Sequence, residues 1–291
     1  MKPTLHARLL ICLVLLLASL PALAKPALWV VRDADTTIYL FGTVHLLPND
    51  TAWHYPALDH ALSDSRTLYI ELTDDDQANM AALVMRYGLD AAHPLTDLLD
   101  PSELRRLKTA ADLAGVPGGM QTLGMMRPWL AALTLATAPL LKAGLDPQHG
   151  VDKQLTAQML GAGKPVVGLE TAEQQIHFLA DMSQPVQLAF LRSAVREAGK
   201  APTELTELVD AWKTGDTAGI ARIEDEDMRQ KEPALYKRLL VQRNQTWAGK
   251  IAAMLQQPGT VFIAVGAAHL AGPDSVQAQL ERLGVAVERT P

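Results

Sequence analysis

Two kinds of apolar run alternate along this chain, and their length and spacing separate strands from helices. Short runs rich in β-branched and aromatic residues stand at 28–32, 36–41, 67–70, 164–169, 261–265 and 285–289. Their length and flanking turn residues predict strands. The first two are separated by Asp33-Ala34-Asp35, which predicts a β-hairpin. Ile38-Tyr39-Leu40-Phe41 and Val261-Phe262-Ile263-Ala264-Val265 are apolar without alternation, as strands covered on both faces are. Pro56 to Ser63 predicts a short helix before the strand at 67–70, giving a β-β-α-β start. From about 75 to 160, and again from about 184 to 257, the pattern is helical, broken in the first stretch at Pro94, Pro101, the Gly115 to Gly119 turn, Pro128 and Gly144. Leu104, Leu107, Ala111 and Leu113 are spaced for a surface helix; Trp129 to Leu141 is apolar nearly all round and predicts a buried one. Glu170-Thr171 opens a further helix to about Asp181. The end of the chain reads strand, turn, helix (about 274–283), strand, which predicts a crossover between parallel neighbours. The expected fold is α/β: a mixed central sheet with large helical insertions, forming one domain over 25–291.

The pattern Gly-x-x-His follows two of the buried strands, as Gly42-Thr43-Val44-His45 and as Gly266-Ala267-Ala268-His269. Both histidines therefore stand just past a strand's C-terminal end, where open α/β sheets form their binding crevice. A lone histidine after a strand is usually a hydrogen-bonded structural residue; repetition of the whole context favours a shared site. Glu71 ends a third apolar run, Thr67-Leu68-Tyr69-Ile70. A carboxylate at the end of a buried strand is costly unless a cation, a metal or dense hydrogen bonding meets it. Two neutral imidazoles and a carboxylate, His45, His269 and Glu71, form a ligand set for a catalytic divalent metal with an open position. His54, His60, His93, His149 and His177 lack the strand-end context and read as surface or helix residues.

The N-terminus changes the expected compartment. Lys2 and Arg8 precede an apolar stretch from Leu9 to Leu20, and Ala22-Leu23-Ala24 is an A-x-A site. This predicts a signal peptide over 1–24, cleavage after Ala24, and a periplasmic or secreted protein with no integral membrane segment thereafter. Cys12, the one cysteine, falls inside the apolar stretch, so the mature chain would have neither disulfide nor thiol nucleophile. Cleavage removes two basic residues and no acid, taking the net charge from −6 to 24 − 32 = −8. Such a chain is a poor partner for nucleic acid or anionic membranes.

An ordered set of short motifs runs through the mature chain: the hairpin into Gly42-Thr43-Val44-His45-Leu46, Tyr69-Ile70-Glu71-Leu72, Arg127-Pro128-Trp129, Gly150-Val151-Asp152, and Lys164 to Thr171 with Gln174 or Gln175 following. It continues with Arg243-Asn244-Gln245-x-Trp247 and Val265-Gly266-Ala267-Ala268-His269-Leu270-Ala271-Gly272. In this the chain resembles the TraB/GumN family, whose animal relatives include the Tiki proteases and which is akin to the erythromycin-esterase and haem-binding ChaN group. The resemblance implies an α/β sheet with helical elaboration and a pocket built from both Gly-x-x-His motifs and the glutamate. In the Tiki branch that constellation resembles a metalloprotease site using manganese or cobalt.

Three further residues are candidates for the chemistry. Arg243 offers a bidentate fork for a substrate carboxylate or an oxyanion, against an alternative as a helix-surface ion pair. Asn244 is an orienting hydrogen-bond donor or a bystander. Glu170, at another strand's end, is a catalytic base, an orienting group or an ordinary helix start. Asp152 reads as structural or supporting. The expected function is an exported, metal-dependent hydrolase of peptide, amide or ester bonds, using manganese, cobalt or zinc and acting on a peptide or small-molecule substrate. The alternatives are a metal-free esterase-like hydrolase on the same residues, and a non-catalytic binder of peptide, haem or metal.

Overall fold

The structure is a computed structural model that describes residues 25–48 and 51–291. The expected signal at 1–24 lies outside the described residues. β1 (Leu28–Arg32) and β2 (Thr36–Thr43) form the expected hairpin, from Leu28 opposite Phe41 to Arg32 opposite Thr37. Asp33 closes the turn, its carboxylate accepting from the Thr36 N–H at 2.8 Å. α1 (Pro56–Asp64) starts on a proline, whose fixed φ suits a first helical turn, and leads to β3 (Leu68–Ile70).

Between β3 and β4 (Val166–Gly168) lie α2 (Gln77–Tyr87), α3 (Pro101–Ala114), α4 (Gly119–Gly124), α5 (Pro128–Lys142) and α6 (Val151–Gly161). Between β4 and β5 (Gly259–Gly266) lie α7 (Ala172–Ala180), α8 (Gln184–Glu197), α9 (Ala201–Lys213), α10 (Thr217–Ile220), α11 (Asp227–Lys231), α12 (Pro233–Tyr236) and α13 (Gln242–Met254). α14 (Val276–Arg282) precedes β6 (Glu288–Arg289). The sheet order is β4-β3-β5-β2-β1-β6. Its first four strands are parallel neighbours; β1 runs against β2 and β6 against β1.

Alternation along β5 divides the interior into two layers. Phe262 and Ala264 join Phe41, Leu62, Leu155 and Trp212 on the face covered by α1, α6 and α9. Val261, Ile263 and Val265 join Trp247, Ile251 and Leu280 beneath α13 and α14. The helical insertions carry a core of their own, in which α3, α5 and α8 meet through Leu107, Leu135 and Leu191. α5 is one-sided rather than wholly buried: Trp129 and Leu135 are inside, while Leu141 is 51% exposed because nothing covers that face. No helix among the described residues is long and apolar enough to cross a membrane.

Two expectations need correction. The last strand does not join a parallel neighbour: Trp29 pairs with Arg289 antiparallel, and β2 and β1 lie between β6 and β5. Both edges of β5 are already occupied by β2 and β3, so a crossover leaving β5 must end elsewhere on the sheet. Two stretches of the second helical region, 221–226 and 237–241, are π-helical, a register that a 3.6-residue pattern does not reveal. The first of these turns Asp225 inward to 3% exposure, while Glu224, Glu226 and Asp227 beside it stay exposed.

Candidate functional site

Parallel pairing brings four side chains to one edge of the sheet. Gly42 stands opposite Val265 and Ile70 opposite Ala264, so β2, β5 and β3 end at nearly the same height. β4 follows suit, with the Glu170 N–H donating to the Glu71 carbonyl at 3.0 Å. Along the sheet the order is Glu170, Glu71, His269, His45, from four separate segments of the sequence.

His45 is 59% exposed at its side chain and His269 is buried. The Nδ1 of His45 lies 3.2 Å from an Asp152 carboxylate oxygen. A carboxylate accepts, so in the neutral ring Nδ1 keeps the proton and Nε2 turns its lone pair toward Glu71 Oε1, 4.0 Å away. Asp152 is held there by the join between α6 and the motif, where the Val151 N–H donates to the Val44 carbonyl at 3.0 Å. A Cβ on Gly150 would stand 2.5 Å from the His45 carbonyl oxygen, so this close approach requires glycine.

The tautomer of His269 is fixed from the other side. Asn244 Nδ2 donates to the Asp274 carbonyl at 2.8 Å, which leaves its Oδ1 facing His269 Nδ1 at 2.6 Å. Nδ1 therefore carries the proton, and Nε2 accepts from Arg243 Nη1 at 3.0 Å while lying 4.0 Å from Glu71 Oε1. Burial pulls the His269 pKa down; Glu71 opposes this, Arg243 and His45 reinforce it, and it settles at about 3. At His45 burial again works downward, but the Asp152 hydrogen bond and the Glu71 and Asp152 charges outweigh it and raise the pKa to about 9.

Glu71 is the hub. Its Oε1 accepts from the Gly266 N–H at 2.8 Å, and its Oε2 from Arg243 Nη2 at 2.6 Å and Gln175 Nε2 at 3.1 Å. Burial would raise its pKa, yet Arg243, His269, His45 and the Gly266 N–H together hold the carboxyl well below the usual range. Glu170 accepts from Arg243 Nε at 3.1 Å and Nη2 at 2.9 Å. The guanidinium, buried against Trp247 with 4.7 Å to the ring centroid, is shared by two carboxylates and leaves one negative charge uncompensated. His45 or another cation is needed to balance it.

Gly266 is closely bordered by all three central residues. A Cβ built there would stand 3.2 Å from Glu71 Oε1, 3.4 Å from His45 Nε2 and 3.7 Å from His269 Cδ2. His45 and Glu71 open into a pocket of about 250 Å³ that is also lined by Thr43, Leu72, Asp75, Asp152 and Gln175, and His269 lies behind that lining. Two imidazole nitrogens, one ionised carboxylate and unbalanced negative charge fit a divalent cation in their chemistry. Their spacing is looser than ligation requires: among the described residues no three His, Cys, Asp or Glu side chains stand in metal-holding geometry as they are. Arg243 Nη1 also covers the His269 lone pair that an ion would use.

All six residues singled out in the sequence, His45, Glu71, Glu170, Arg243, Asn244 and His269, thus meet in one network. Arg243 and Asn244 point inward from successive positions of α13 because that helix packs over the sheet edge, so neither is a surface residue. Sequence reasoning undervalued Asp152 and Gln175; the Gly150-Val151-Asp152 turn and the Gln following Thr171 were the available signals. The remaining histidines are dispersed, with His54, His60, His93 and His149 exposed and His177 half-buried on α7.

The chain is similar to an uncharacterised protein of Treponema pallidum (strain Nichols), 23% identical over 85% of this chain and 78% of that protein. It is also similar to the uncharacterised protein YbaP of Escherichia coli (strain K12), 26% identical over 88% of this chain and 92% of YbaP. The metalloprotease TIKI1 of Danio rerio is 25% identical over 91% of this chain and 63% of TIKI1. No solved structure matches. The model of the TraB/PrgY/gumN family matches residues 27–289, a span that begins just before β1 and closes on β6, and the chain belongs to that family.

Proposed function

We propose that this chain is a hydrolase of peptide or other amide or ester bonds whose centre is His45, Glu71 and His269 holding a divalent ion such as manganese, cobalt or zinc. The observation that carries this reading is the convergence of both Nε2 atoms on Glu71 Oε1, each 4.0 Å from it, beside Gly266. Each imidazole is locked through Nδ1, by Asp152 or by Asn244, as metal-ligating histidines are. The name of one relative, metalloprotease TIKI1, supports the same chemistry. When bound, such an ion polarises a carbonyl and brings the pKa of its water near neutral.

The protein's own groups have separate tasks. Arg243 and Gln175 keep Glu71 ionised and aimed; Glu170 anchors Arg243 from behind. Substrate enters on the exposed His45 side, since His269 is closed off by Trp247 and α13. A second, metal-free reading is favoured by one observation, the Arg243 bond that fills the His269 lone pair. In that case His45, with its raised pKa, donates a proton and Glu71 orients it. Export after cleavage at Ala24 belongs to the same proposal and is supported by the sequence pattern of 1–24; N-terminal sequencing of the secreted or periplasmic fraction tests it.

The experiment is a peptide and ester hydrolysis screen on chelator-treated protein, with manganese, cobalt or zinc returned singly and a His269→Ala control. Turnover that returns with an ion and is absent in the variant is the expected result. Turnover that survives chelation selects the metal-free reading. No turnover under any condition removes the hydrolase reading and leaves a binding protein.

A further inference from the structure

A cleft of about 910 Å³ lies between α8, α9 and the π-helical stretch 221–226. Eight of the side chains lining it are acidic and two, Arg222 and Lys231, are basic. Some of the acids are spoken for: Glu197 pairs with Lys200, Asp227 with Lys231, and Asp216 caps α10 by accepting from the Gly219 N–H. Glu204, Glu207 and Glu224 have no ion pair among the described residues. Glu232 adds an independent sign of a missing ligand. Its side chain is 8% exposed and lines the cleft, and its Oε1 accepts no hydrogen bond, the nearest cation being Arg196 at 3.7 Å. A carboxylate oxygen buried to that degree is costly without a donor.

The wall of this cleft is fixed to both Gly-x-x-His turns. Trp212 of α9 donates from Nε1 to the Gly42 carbonyl at 2.7 Å. Asp225 Oδ2 and Ala221 Cβ of the π-helical stretch stand 3.2 and 3.5 Å from where a Gly272 Cβ would be. Glu204 and Glu224 line the cleft from α9 and from the π-helical stretch and are both exposed in it. Phe190, Ile223 and Met228 supply apolar surface along which the methylene stem of a lysine or arginine can lie.

We infer that this cleft seats a cationic stretch of a peptide, a lysine- or arginine-bearing segment whose charged head is met by the unpaired carboxylates of Glu204 and Glu224. That the peptide is a substrate rests on the hydrolase reading; that it binds here does not. A metal ion would leave the apolar floor unexplained, and a small neutral ligand the unpaired carboxylates.

The test is fluorescence anisotropy of labelled hexa-arginine and hexaglutamate peptides on the mature protein. Hexa-arginine should bind and hexaglutamate should not, and affinity should fall as salt rises. Glu204→Gln with Glu224→Gln should raise the Kd roughly tenfold or more, whereas Asp64→Asn with Glu281→Gln, remote and exposed, should change it by less than about twofold. Glu207→Lys, on the same wall and exposed, is a second variant that should weaken binding while leaving Glu204 and Glu224 in place. His269→Ala should bind hexa-arginine as the wild type does, so lost turnover with retained Glu204- and Glu224-dependent binding would count against the hydrolase reading alone. Equal effects of the cleft and remote pairs, or none from either cleft variant, would overturn the inference.

Discussion

Replacing Arg243 by methionine keeps the stem against Trp247 and removes the guanidinium that Glu71 and Glu170 share. Both carboxylates are buried, so neither can rehydrate in place. Hydrogen bonds to charged groups contribute about 1.5–3 kcal/mol each, and breaking a buried pair from one side costs about 3–5 kcal/mol. The expected loss at pH 7 is therefore about 3–5 kcal/mol, a large share of the roughly 5–15 kcal/mol that holds a typical domain. The pH dependence should change sign. In the wild type the Glu71 pKa lies below its unfolded value, so its contribution is present above that value and is lost as pH falls through the folded one. Without Arg243 the burial of Glu71 is no longer offset and its carboxyl rises above its unfolded value, so stability is complete at low pH and is lost as pH rises. The slope reaches about 1.4 kcal/mol per pH unit for that carboxyl. Urea unfolding followed by circular dichroism at pH 5, 6 and 7 measures both quantities. A loss under about 1 kcal/mol at pH 7, or a penalty that does not shrink at pH 5, would refute the shared-charge network.

Gly266→Ala places a methyl 3.2 Å from Glu71 Oε1 at an ordinary backbone conformation (φ −49), so the melting temperature should barely move while metal uptake and turnover fall by roughly a hundredfold; wild-type activity in this variant would show that the space over Gly266 is unused. Asp225, raised to about 8 by burial and by Glu224, has a folded pKa above its unfolded value and costs stability as pH climbs; Asp225→Asn should gain about 1 kcal/mol or more at pH 8 and little at pH 4 in urea titrations. For the apo protein, His45 contributes stability present below its unfolded value near 6.5 and lost as pH rises through about 9, so His45→Ala should flatten the alkaline fall in melting temperature. His269, held down at about 3, costs stability as pH drops below about 6.5, and His269→Ala should flatten the acid side instead.

Much of the site was legible because it is written in strands. Unbroken apolar runs marked β2 and β5 as buried, and residues just past the end of a buried strand in a parallel sheet must lie at its crevice edge, which placed His45, His269 and Glu71. The helical insertions were legible in outline through their punctuation: Asp100 caps α3 in a capping box and Gly115 ends it in the left-handed region. Tertiary facts were not. Nothing local tells that α13 packs over the sheet edge and turns Arg243 inward, or that β5 has no free edge for the last strand. The π-helical stretch that buries Asp225 lies against Gly272, past the turn after His269, and the surrounding acids mask it in composition.

The most direct measurement is the metal content of protein purified without a histidine tag, read by elemental analysis and then by calorimetric titration with manganese, cobalt and zinc at pH 7.5. The wild type should hold about one ion per chain, and both His269→Ala and Glu71→Gln, still folded by circular dichroism, should hold less than about a tenth of that. A wild type that binds none of the three ions, or variants that bind as well as it does, would contradict a metal centre at His45, Glu71 and His269.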